Sequence, residues 1–253
     1  MNIIVCAKQV VDVSEMKVDP STKKPILQGV PQKISDIDKN AMEEAIKIKE
    51  KHGGKITVVT VGPSDAKERI KELLAMGADE GVLVSSPEQH DYHVVSTLVA
   101  AAIKKIGDYD LVLCGEASID LFSGQVGPRV AGLLGIPQIT YAASVIAKKE
   151  KVVAERNMGD KMVTSESPYP VLITVTKEIN EPRLPSLMQI LGAANKPINE
   201  WNADALGVKV DALVETVELK GVPMERKNVV YQNDVDESVT KLVESLVKEG
   251  VLR

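Results

Sequence analysis

A loop rich in glycine and hydrogen-bonding side chains, Gly115–Pro128, is the segment best suited to chemistry. Three glycines allow a ligand to approach the backbone closely, and four polar side chains offer hydrogen-bond donors and acceptors. The glycines are Gly115, Gly124 and Gly127, and the polar residues are Ser118, Asp120, Ser123 and Gln125. A helix is predicted to follow, and its free N–H groups can hold an anion. One interpretation is a phosphate at this helix with a ribose on Asp120; the other is a plain glycine-rich connection in which Asp120 is a cap.

The elements that must position this loop alternate along the chain. Short aliphatic runs predict buried strands at Ile3–Ala7, Ile56–Val61, Val82–Val84 and Leu111–Cys114. Apolar residues at helical spacing predict helices after Ser35 and Asp36, after Ser64, after Asp91 and from Val130. This order predicts an α/β fold, with a doubly wound, mostly parallel sheet and helices on both faces.

Ligands of doubly wound sheets bind beyond the carboxyl ends of the strands. Four connections are predicted to lie there: Lys8–Asp12, Ser35–Asp38, Gly62–Ser64 and Gly115–Pro128. The last of these matches neither GxGxxG nor the Walker pattern, so a standard dinucleotide fold and a P-loop enzyme are not supported.

The pattern changes after the fourth strand. Residues 151–165 predict a hairpin with its turn at Asn157–Asp160, and Val171–Val175 predicts a return to the sheet. An exposed segment with Leu187 and Met188 at its tip follows. We expect a nucleotide-binding domain over residues 1–197 and an arm over residues 198–253, packed on another chain or on its own. The arm ends in an amphipathic helix over residues 236–249, whose apolar residues are expected to face inward: Val239, Leu242, Val243, Leu246 and Val247.

Composition narrows the class of protein. A net charge of −5 argues against a nucleic-acid partner, and only seven aromatic residues (one Phe, one Trp and five Tyr) leave no platform for stacking bases. Cys6 and Cys114 lie in predicted strands and are expected to be buried free thiols. His52, His90 and His93 form no array with cysteines or carboxylates, so no metal site is predicted. With no signal peptide and no transmembrane-length apolar run, we expect a cytoplasmic protein that reaches a membrane only through partners.

Four motifs, in order, resemble the electron transfer flavoprotein β subunit from the N-terminus to about Pro197. Cys6–Asp12 is similar to its first strand and turn, and Ala75–Gly81 to its Ala-Met-Gly-Ala-Asp-Arg-Gly segment, with Glu80 in place of Arg. Gly115–Pro128 resembles its adenine-nucleotide loop, and Asn180-Glu181-Pro182-Arg183 with Leu187 its docking loop. One departure is the family's acidic cluster after Glu155-Arg156, reduced here to Asn157–Asp160.

The resemblance implies an adenine-nucleotide α-hydrolase-like fold and a set of site residues. Leu187 would be the apolar anchor in a dehydrogenase partner, with Glu181, Arg183 and Met188 beside it; the alternative for Leu187 is local packing under the loop. No catalytic residue is implied. The implied cofactor-binding residues are Cys6, Ala7, Lys8, Ser35, Asp36, Ile37, Asp38, Val61, Gly62, Gly115, Ala117, Ser118, Asp120, Ser123, Gly124, Gln125, Val126 and Gly127.

The resemblance also implies a function. Family members hold AMP in this pocket for structure only, or a second FAD when they bifurcate electrons; the other FAD lies mainly on the α subunit. The ending Gln125–Pro128 looks more like the bifurcating or archaeal-type members, so FAD is preferred and AMP is the alternative. With FAD, NADH would be the electron donor and a low-potential carrier such as ferredoxin one acceptor. The implied partners are the α subunit and a dehydrogenase or quinone-reducing protein.

Other classes fit the loops less well. A universal-stress-type adenine-nucleotide sensor expects a phosphate loop ending in Gly-Ser or Gly-Thr, which Gly115–Pro128 does not supply. An ATP-pyrophosphatase-type enzyme expects Ser-Gly-Gly-x-Asp-Ser after the first strand, whereas Lys8–Asp12 has no glycine. A structural subunit without a ligand is the remaining alternative. The colour of the purified protein distinguishes the flavoprotein from the stress-type sensor, since a flavin complex is yellow and the sensor is not.

Overall fold

The computed structural model describes residues 1–86, 91–221, 227–232 and 234–252. Thirteen strands and six α-helices are found within these ranges. The strands are β1 (Asn2–Cys6), β2 (Gln9–Val11), β3 (Lys17–Val18), β4 (Pro25–Ile26), β5 (Gln32–Ile34), β6 (Lys55–Gly62), β7 (Glu80–Ser85), β8 (Leu111–Gly115), β9 (Gln138–Ala147), β10 (Lys151–Asn157), β11 (Met162–Pro168), β12 (Val171–Val175) and β13 (Ile198–Trp201). The helices are α1 (Asp36–His52), α2 (Ala66–Met76), α3 (Tyr92–Ile106), α4 (Val126–Leu134), α5 (Leu187–Ala193) and α6 (Val235–Lys248).

Nine strands form one sheet in the order β11-β10-β9-β12-β8-β1-β6-β7-β13. Every neighbouring pair from β9 to β13 is parallel, and only β9-β10 and β10-β11 are antiparallel. The chain leaves β1 on one side toward β6 and β7, and returns on the other side with β8 and β12. This reversal between β1 and β8 is the topological switch point of a doubly wound sheet.

Burial on both faces explains the aliphatic strands. Along β1, Ile3 and Val5 pack with α1 and α2 on one face, whereas Ile4 and Cys6 pack with α3 and α4 on the other. A strand covered on both sides cannot alternate with polar residues, so it becomes a continuous apolar run. The predicted fold class is therefore confirmed, with helices on both faces.

Helix ends follow the predicted signals in part. Asp91 caps α3, its Oδ1 accepting from the Val94 N–H at 2.8 Å, as expected. Ser64 does not cap α2, because Asp65 takes the N-cap position and makes no side-chain capping bond. Ser35 stands at the N-cap of α1, but its hydroxyl also makes no cap; it accepts from the Ile119 N–H at 3.3 Å instead.

The Ala75–Gly81 motif has a structural purpose. The Asp79 carboxylate accepts from the Ile56 N–H at 2.7 Å and pairs with Lys49, while Glu80 accepts from the Thr57 hydroxyl. A Cβ on Gly81 would lie 2.4 Å from Ile70 Cγ2, so only glycine lets α2 pack this closely. The motif fixes α1, α2, β6 and β7 to one another and lies outside the predicted nucleotide pocket.

The region after residue 197 differs from the expectation in two ways. Ile198–Trp201, expected to open the arm, adds β13 to the sheet and is held there by Lys67–Glu200 at 2.6 Å and by Lys105 over the Trp201 ring. The apolar residues of α6 do not face inward, since no residue of that helix is buried. The arm touches the α/β body at several points: Leu206 and Val210 pack against the core, Asp91 Oδ2 accepts from the Leu213 and Val214 N–H groups, and the Gly221 N–H donates to the Lys23 carbonyl at 2.7 Å.

Candidate nucleotide site and docking segment

Three of the predicted connections meet at the switch point. Lys8 follows β1, Gly115 ends β8, and Ser35–Asp38 opens α1 against both. The Ser35 N–H donates to the Lys8 carbonyl at 3.0 Å, and the Ser35 hydroxyl reaches the loop after β8. The parallel register therefore assembles residues that lie up to about a hundred positions apart in sequence.

A buried carboxylate closes the base of the site. Asp38 Oδ2 accepts from the Lys8 N–H at 2.9 Å and Asp38 Oδ1 accepts from the Gly115 N–H at 3.0 Å. A Cβ on Gly115 would lie 2.6 Å from Oδ1, so glycine is required for this approach. Burial raises the pKa of the Asp38 carboxyl to about 7, although the two N–H donors oppose the shift.

An ion pair lies above this base. Lys8 Nζ is 2.6 and 2.9 Å from the two Asp120 oxygens and 3.5 Å from the Ser118 hydroxyl. The Lys8 side chain is 41% exposed and that of Asp120 is 15% exposed. The pair thus presents a cation suited to a phosphate and a carboxylate suited to ribose hydroxyls.

The helix predicted to hold an anion is α4, which begins directly after the loop. Gln125 stands at its N-cap position but makes no side-chain cap. Its Oε1 accepts instead from Arg129 at 3.1 and 3.0 Å. Arg129 lies one turn inside α4 and was not predicted as part of the site; its spacing of four residues from Gln125 was the available signal in the sequence.

Two further residues border the loop without having been predicted. Tyr141 lies at an irregularity of β9 with a φ of 58°, and its N–H donates to the Thr174 hydroxyl at 3.1 Å. The Tyr141 hydroxyl would be 3.8 Å from a Cβ on Gly124. Phe122 also has a positive φ, 47°. A positive φ is uncommon for an aromatic residue, and two such residues here were beyond sequence reasoning.

The remaining predicted residues line the wall or point elsewhere. Cys6, Ala7, Ile37 and Ala117 are buried, and burial raises the pKa of the Cys6 thiol to about 12. Both cysteines are buried free thiols, as expected. The Gly62 carbonyl accepts from the Ser86 N–H, joining the ends of β6 and β7, next to Val61. Asp36 points away and pairs with Lys33 at 3.1 Å.

The segment Asn180–Leu191, here called the docking segment, exposes an apolar cluster. Leu184 is 93% exposed, Leu187 71% and Met188 76%, with Ile190 and Leu191 also exposed. Helix α5 begins in a capping box formed by Ser186 and Gln189, which orders these side chains without burying them. Leu187 is therefore not packed under the loop, the alternative considered for it.

The charged residues of the docking segment have separate surroundings. Arg183 forms ion pairs with Glu43 at 2.9 Å and with Glu50 at 2.5 Å. Glu181 borders a cleft of about 260 Å³ that is also lined by Asp36, Lys39, Asn40, Lys177, Asn180 and Pro182. Arg183 is thus engaged within the chain, whereas Glu181 faces an open cleft.

Neither a metal cluster nor a membrane span is found in the described parts of the chain. No group of three or more His, Cys, Asp or Glu side chains there could hold a metal ion; His90 lies outside the described residues. No helix among the described residues is long and apolar enough to cross a bilayer.

Comparison with known proteins defines the class. Residues 25–206 match the family described as the electron transfer flavoprotein domain. The chain is 40% identical to the electron transfer flavoprotein subunit beta of Thermoanaerobacterium thermosaccharolyticum, over 100% of both proteins. It is 40% identical to the caffeyl-CoA reductase-Etf complex subunit CarD of Acetobacterium woodii over 84% of this chain and 82% of that protein. It is also 34% identical to the acryloyl-CoA reductase electron transfer subunit gamma of Anaerotignum propionicum, over 100% of both.

This chain belongs to the electron transfer flavoprotein family, and its likeness to the β subunits of that family covers its full length. The resemblance drawn from the four motifs is confirmed.

The buried Asp38 predicts a specific pH dependence of stability. Its folded pKa of about 7 is above the ordinary 3.8, so between these values the folded state binds more protons than the unfolded state. The contribution of Asp38 to the free energy of unfolding is therefore largest at low pH. It declines as the pH rises toward about 7, by at most about 1.4 kcal/mol per pH unit. Urea unfolding at pH 5, 6, 7 and 8 measures the slope. The Asp38→Asn variant should show a shallower decline, and equal slopes in the two proteins would contradict the assignment.

Proposed function

We propose that this chain is the β subunit of a heterodimeric electron transfer flavoprotein. It would move electrons between dehydrogenases or NADH and downstream acceptors through FAD, working in the cytoplasm. The observation that carries the proposal is the meeting of β1, α1 and the Gly115–Pro128 loop at the switch point, with the Lys8 cation and the Asp120 carboxylate side by side. Family membership supplies the class of reaction.

The site chemistry suits an adenine nucleotide. Lys8 and the first N–H groups of α4 would hold phosphate oxygens, and Asp120 would accept from ribose hydroxyls. The buried, neutral thiol of Cys6 and the side chain of Ile37 would form part of the apolar wall. Asp38, also predicted as a binding residue, would form the base of the pocket while its two oxygens hold the Lys8 and Gly115 N–H groups.

We propose a second FAD as this nucleotide, with AMP as the alternative. The Gln125–Pro128 ending favours FAD, and small residues at Ser123 and Gly124 leave space beside the loop. FAD would supply hydride and single-electron chemistry, which makes the role bifurcating, with NADH as donor and ferredoxin as one acceptor. The chain's residues would bind and orient the flavin and tune its potential by charge. With AMP, the chain would be the non-redox half of a conventional carrier.

The proposed partners are an electron transfer flavoprotein α subunit and an acyl-CoA-linked dehydrogenase or reductase. The names of two relatives mention complexes or electron transfer for CoA-ester reductases, which favours this class of redox partner. The docking segment would contact it through Leu187 and Met188. The unburied apolar face of α6 would pack on the α subunit, which keeps α6 in the proposed arm, whereas β13 belongs to the sheet.

Nucleotide counting tests this proposal. The αβ complex is purified, its nucleotides are extracted, and FAD and AMP are separated by chromatography and counted per heterodimer. Two FAD and no AMP would support the bifurcating role and justify assays with NADH and ferredoxin. One FAD and one AMP would establish the conventional role, and no nucleotide beyond the FAD of the α subunit would refute the pocket.

The Lys8→Met variant should weaken nucleotide retention in the complex. Loss of one charge-assisted hydrogen bond costs about 1.5–3 kcal/mol, so affinity should fall about 10- to 100-fold. Titration of the stripped complex with the identified nucleotide measures this. Lys67→Met is the matched control, because Lys67 is also 41% exposed and in a 2.6 Å ion pair but lies away from the site. An equal loss in both variants, or in neither, would contradict the role of Lys8.

The Leu187→Ala variant should impair partner docking alone. Truncating an apolar side chain that becomes buried at an interface costs about 1–3 kcal/mol, so KM for the redox partner should rise about 5- to 100-fold. Steady-state electron transfer by the intact complex gives KM and kcat, and extraction gives nucleotide content, which should not change. Met162→Ala, on the exposed edge strand β11, is the control. Unaltered partner kinetics in Leu187→Ala would remove the docking role.

A further inference from the structure

The docking segment is fastened to α1 by a row of buried polar side chains. Asn40 is 3% exposed and Glu43 is 3% exposed, and both lie on the face of α1 that meets residues 177–183. Buried polar groups are costly unless they are fully hydrogen-bonded. The hydrogen-bond partners of Asn40 and Glu43 therefore indicate which part of the chain these two residues stabilise.

Asn40 and Asn180 bond each other in both directions. Asn40 Nδ2 donates to the Asn180 carbonyl at 2.7 Å, and Asn180 Nδ2 donates to the Asn40 carbonyl at 3.1 Å. Asn180 Nδ2 also donates to Glu44 Oε2 at 3.1 Å, and Asn40 to the Lys177 carbonyl at 3.3 Å. The start of the docking segment is thereby fixed in position and direction.

Glu43 holds Arg183, three residues further along the segment. Its carboxylate accepts from the Arg183 backbone N–H at 3.1 Å, from Nε at 2.9 Å and from Nη2 at 3.0 Å. A forked arginine–carboxylate contact fixes orientation as well as distance. Since Leu184 follows directly, this contact sets the direction in which the exposed apolar cluster leaves the body.

The same helix begins at the nucleotide site. Ser35 and Asp38 hold the ends of β1 and β8, and Asn40 and Glu43 follow within about two turns. The apolar side of α1, with Ala41, Met42 and Ala45, packs separately into the core. The polar row is thus not required to seal the core, and its bonds go to the docking segment.

We propose that Asn40 and Glu43 are positioning residues for the redox partner. They hold the docking segment at one orientation relative to the nucleotide pocket, so that a docked dehydrogenase or reductase meets the carrier in one geometry. The proposal rests on the proposed function and deepens it, because it names residues that never touch the partner yet determine how it binds.

The Glu43→Gln variant tests the proposal in the intact αβ complex. Glutamine keeps the volume but loses the charge, so the segment should explore other orientations and KM for the partner should rise about tenfold. Nucleotide content should stay unchanged, and hydrogen exchange of amides 183–191 should accelerate. Glu50→Gln removes the exposed ion-pair partner of Arg183, and KM for the redox partner should rise about two- to fivefold. This variant replaces Glu43→Gln in the test if Glu43→Gln does not fold.

Lys49→Gln is the matched control for Glu43→Gln. Lys49 lies on the same helix and forms a 2.6 Å ion pair with Asp79, yet has no hydrogen bond or ion pair to the docking segment. The Lys49→Gln variant should lower the thermal stability of the complex without changing KM for the redox partner. An equal rise of KM in both variants would overturn the proposal, because general destabilisation would then explain the effect.

A double variant and Leu187→Ala complete the test. If Glu43 and Arg183 act as one unit, Glu43→Gln with Arg183→Gln should raise KM no more than the worse single variant. Raised KM in Leu187→Ala with normal KM in Glu43→Gln and Glu50→Gln overturns the positioning role alone. Normal KM in all of these variants overturns the docking role of the segment itself. If KM rises in Glu43→Gln but not in Leu187→Ala, the effect of Glu43 does not pass through the docking segment, and the positioning role is overturned.

Discussion

The contact between Asp38 and two backbone N–H groups sets the geometry at the centre of this protein. Parallel strands that diverge at a switch point leave their end groups unpaired, and an apolar interior makes such groups costly. One carboxylate satisfies both, because each of its oxygens faces one strand. The carboxylate thus continues the parallel pairing of β1 with β8 beyond its last pair, Cys6 with Cys114. Lys8, Ser118 and Asp120 then inherit their positions from these strand ends.

Helix α1 carries this constraint outward in three steps. Its first turn holds the switch point through Asp38, its second holds the docking segment through Asn40 and Glu43, and its last pairs Lys49 with Asp79. The buried polar side of the helix therefore organises three connections, while the apolar side packs in the core. The cost of burying charge is offset at each step by several hydrogen bonds to the same group.

The sequence predicted what local pattern determines and missed what depends on distant pairing. Central strands such as β1 and β8 were predicted from their aliphatic runs, because burial on both faces leaves no polar alternation. Strand β9 was missed, since its burial is irregular and Tyr141 interrupts its register. Along α6 the apolar face was predicted correctly, but not its exposure in the chain alone. At the site, the loop could be located from glycines and polar residues. The hydrogen bonds of Asp38 to Lys8 and Gly115 and of Arg183 to Glu43 could not be predicted, because these partners are 30 to 140 positions apart in the sequence.

The double use of Asp91 has a consequence for assembly. One of its oxygens caps α3 and the other accepts from the Leu213 and Val214 N–H groups of the arm. Because the two bonds use different atoms, the arm can detach while the helix keeps its cap. The part of the arm over residues 211–221 therefore forms a polar strap: it is bonded to the body through the Leu213 and Val214 N–H groups on Asp91 and the Gly221 N–H on the Lys23 carbonyl at 2.7 Å, and water can replace these bonds. The last fifty residues do not act as one unit, because Trp201, Leu206 and Val210 pack against the core whereas no residue of α6 is buried. A surface that covers α6 therefore competes with this polar strap and not with the packing of the core.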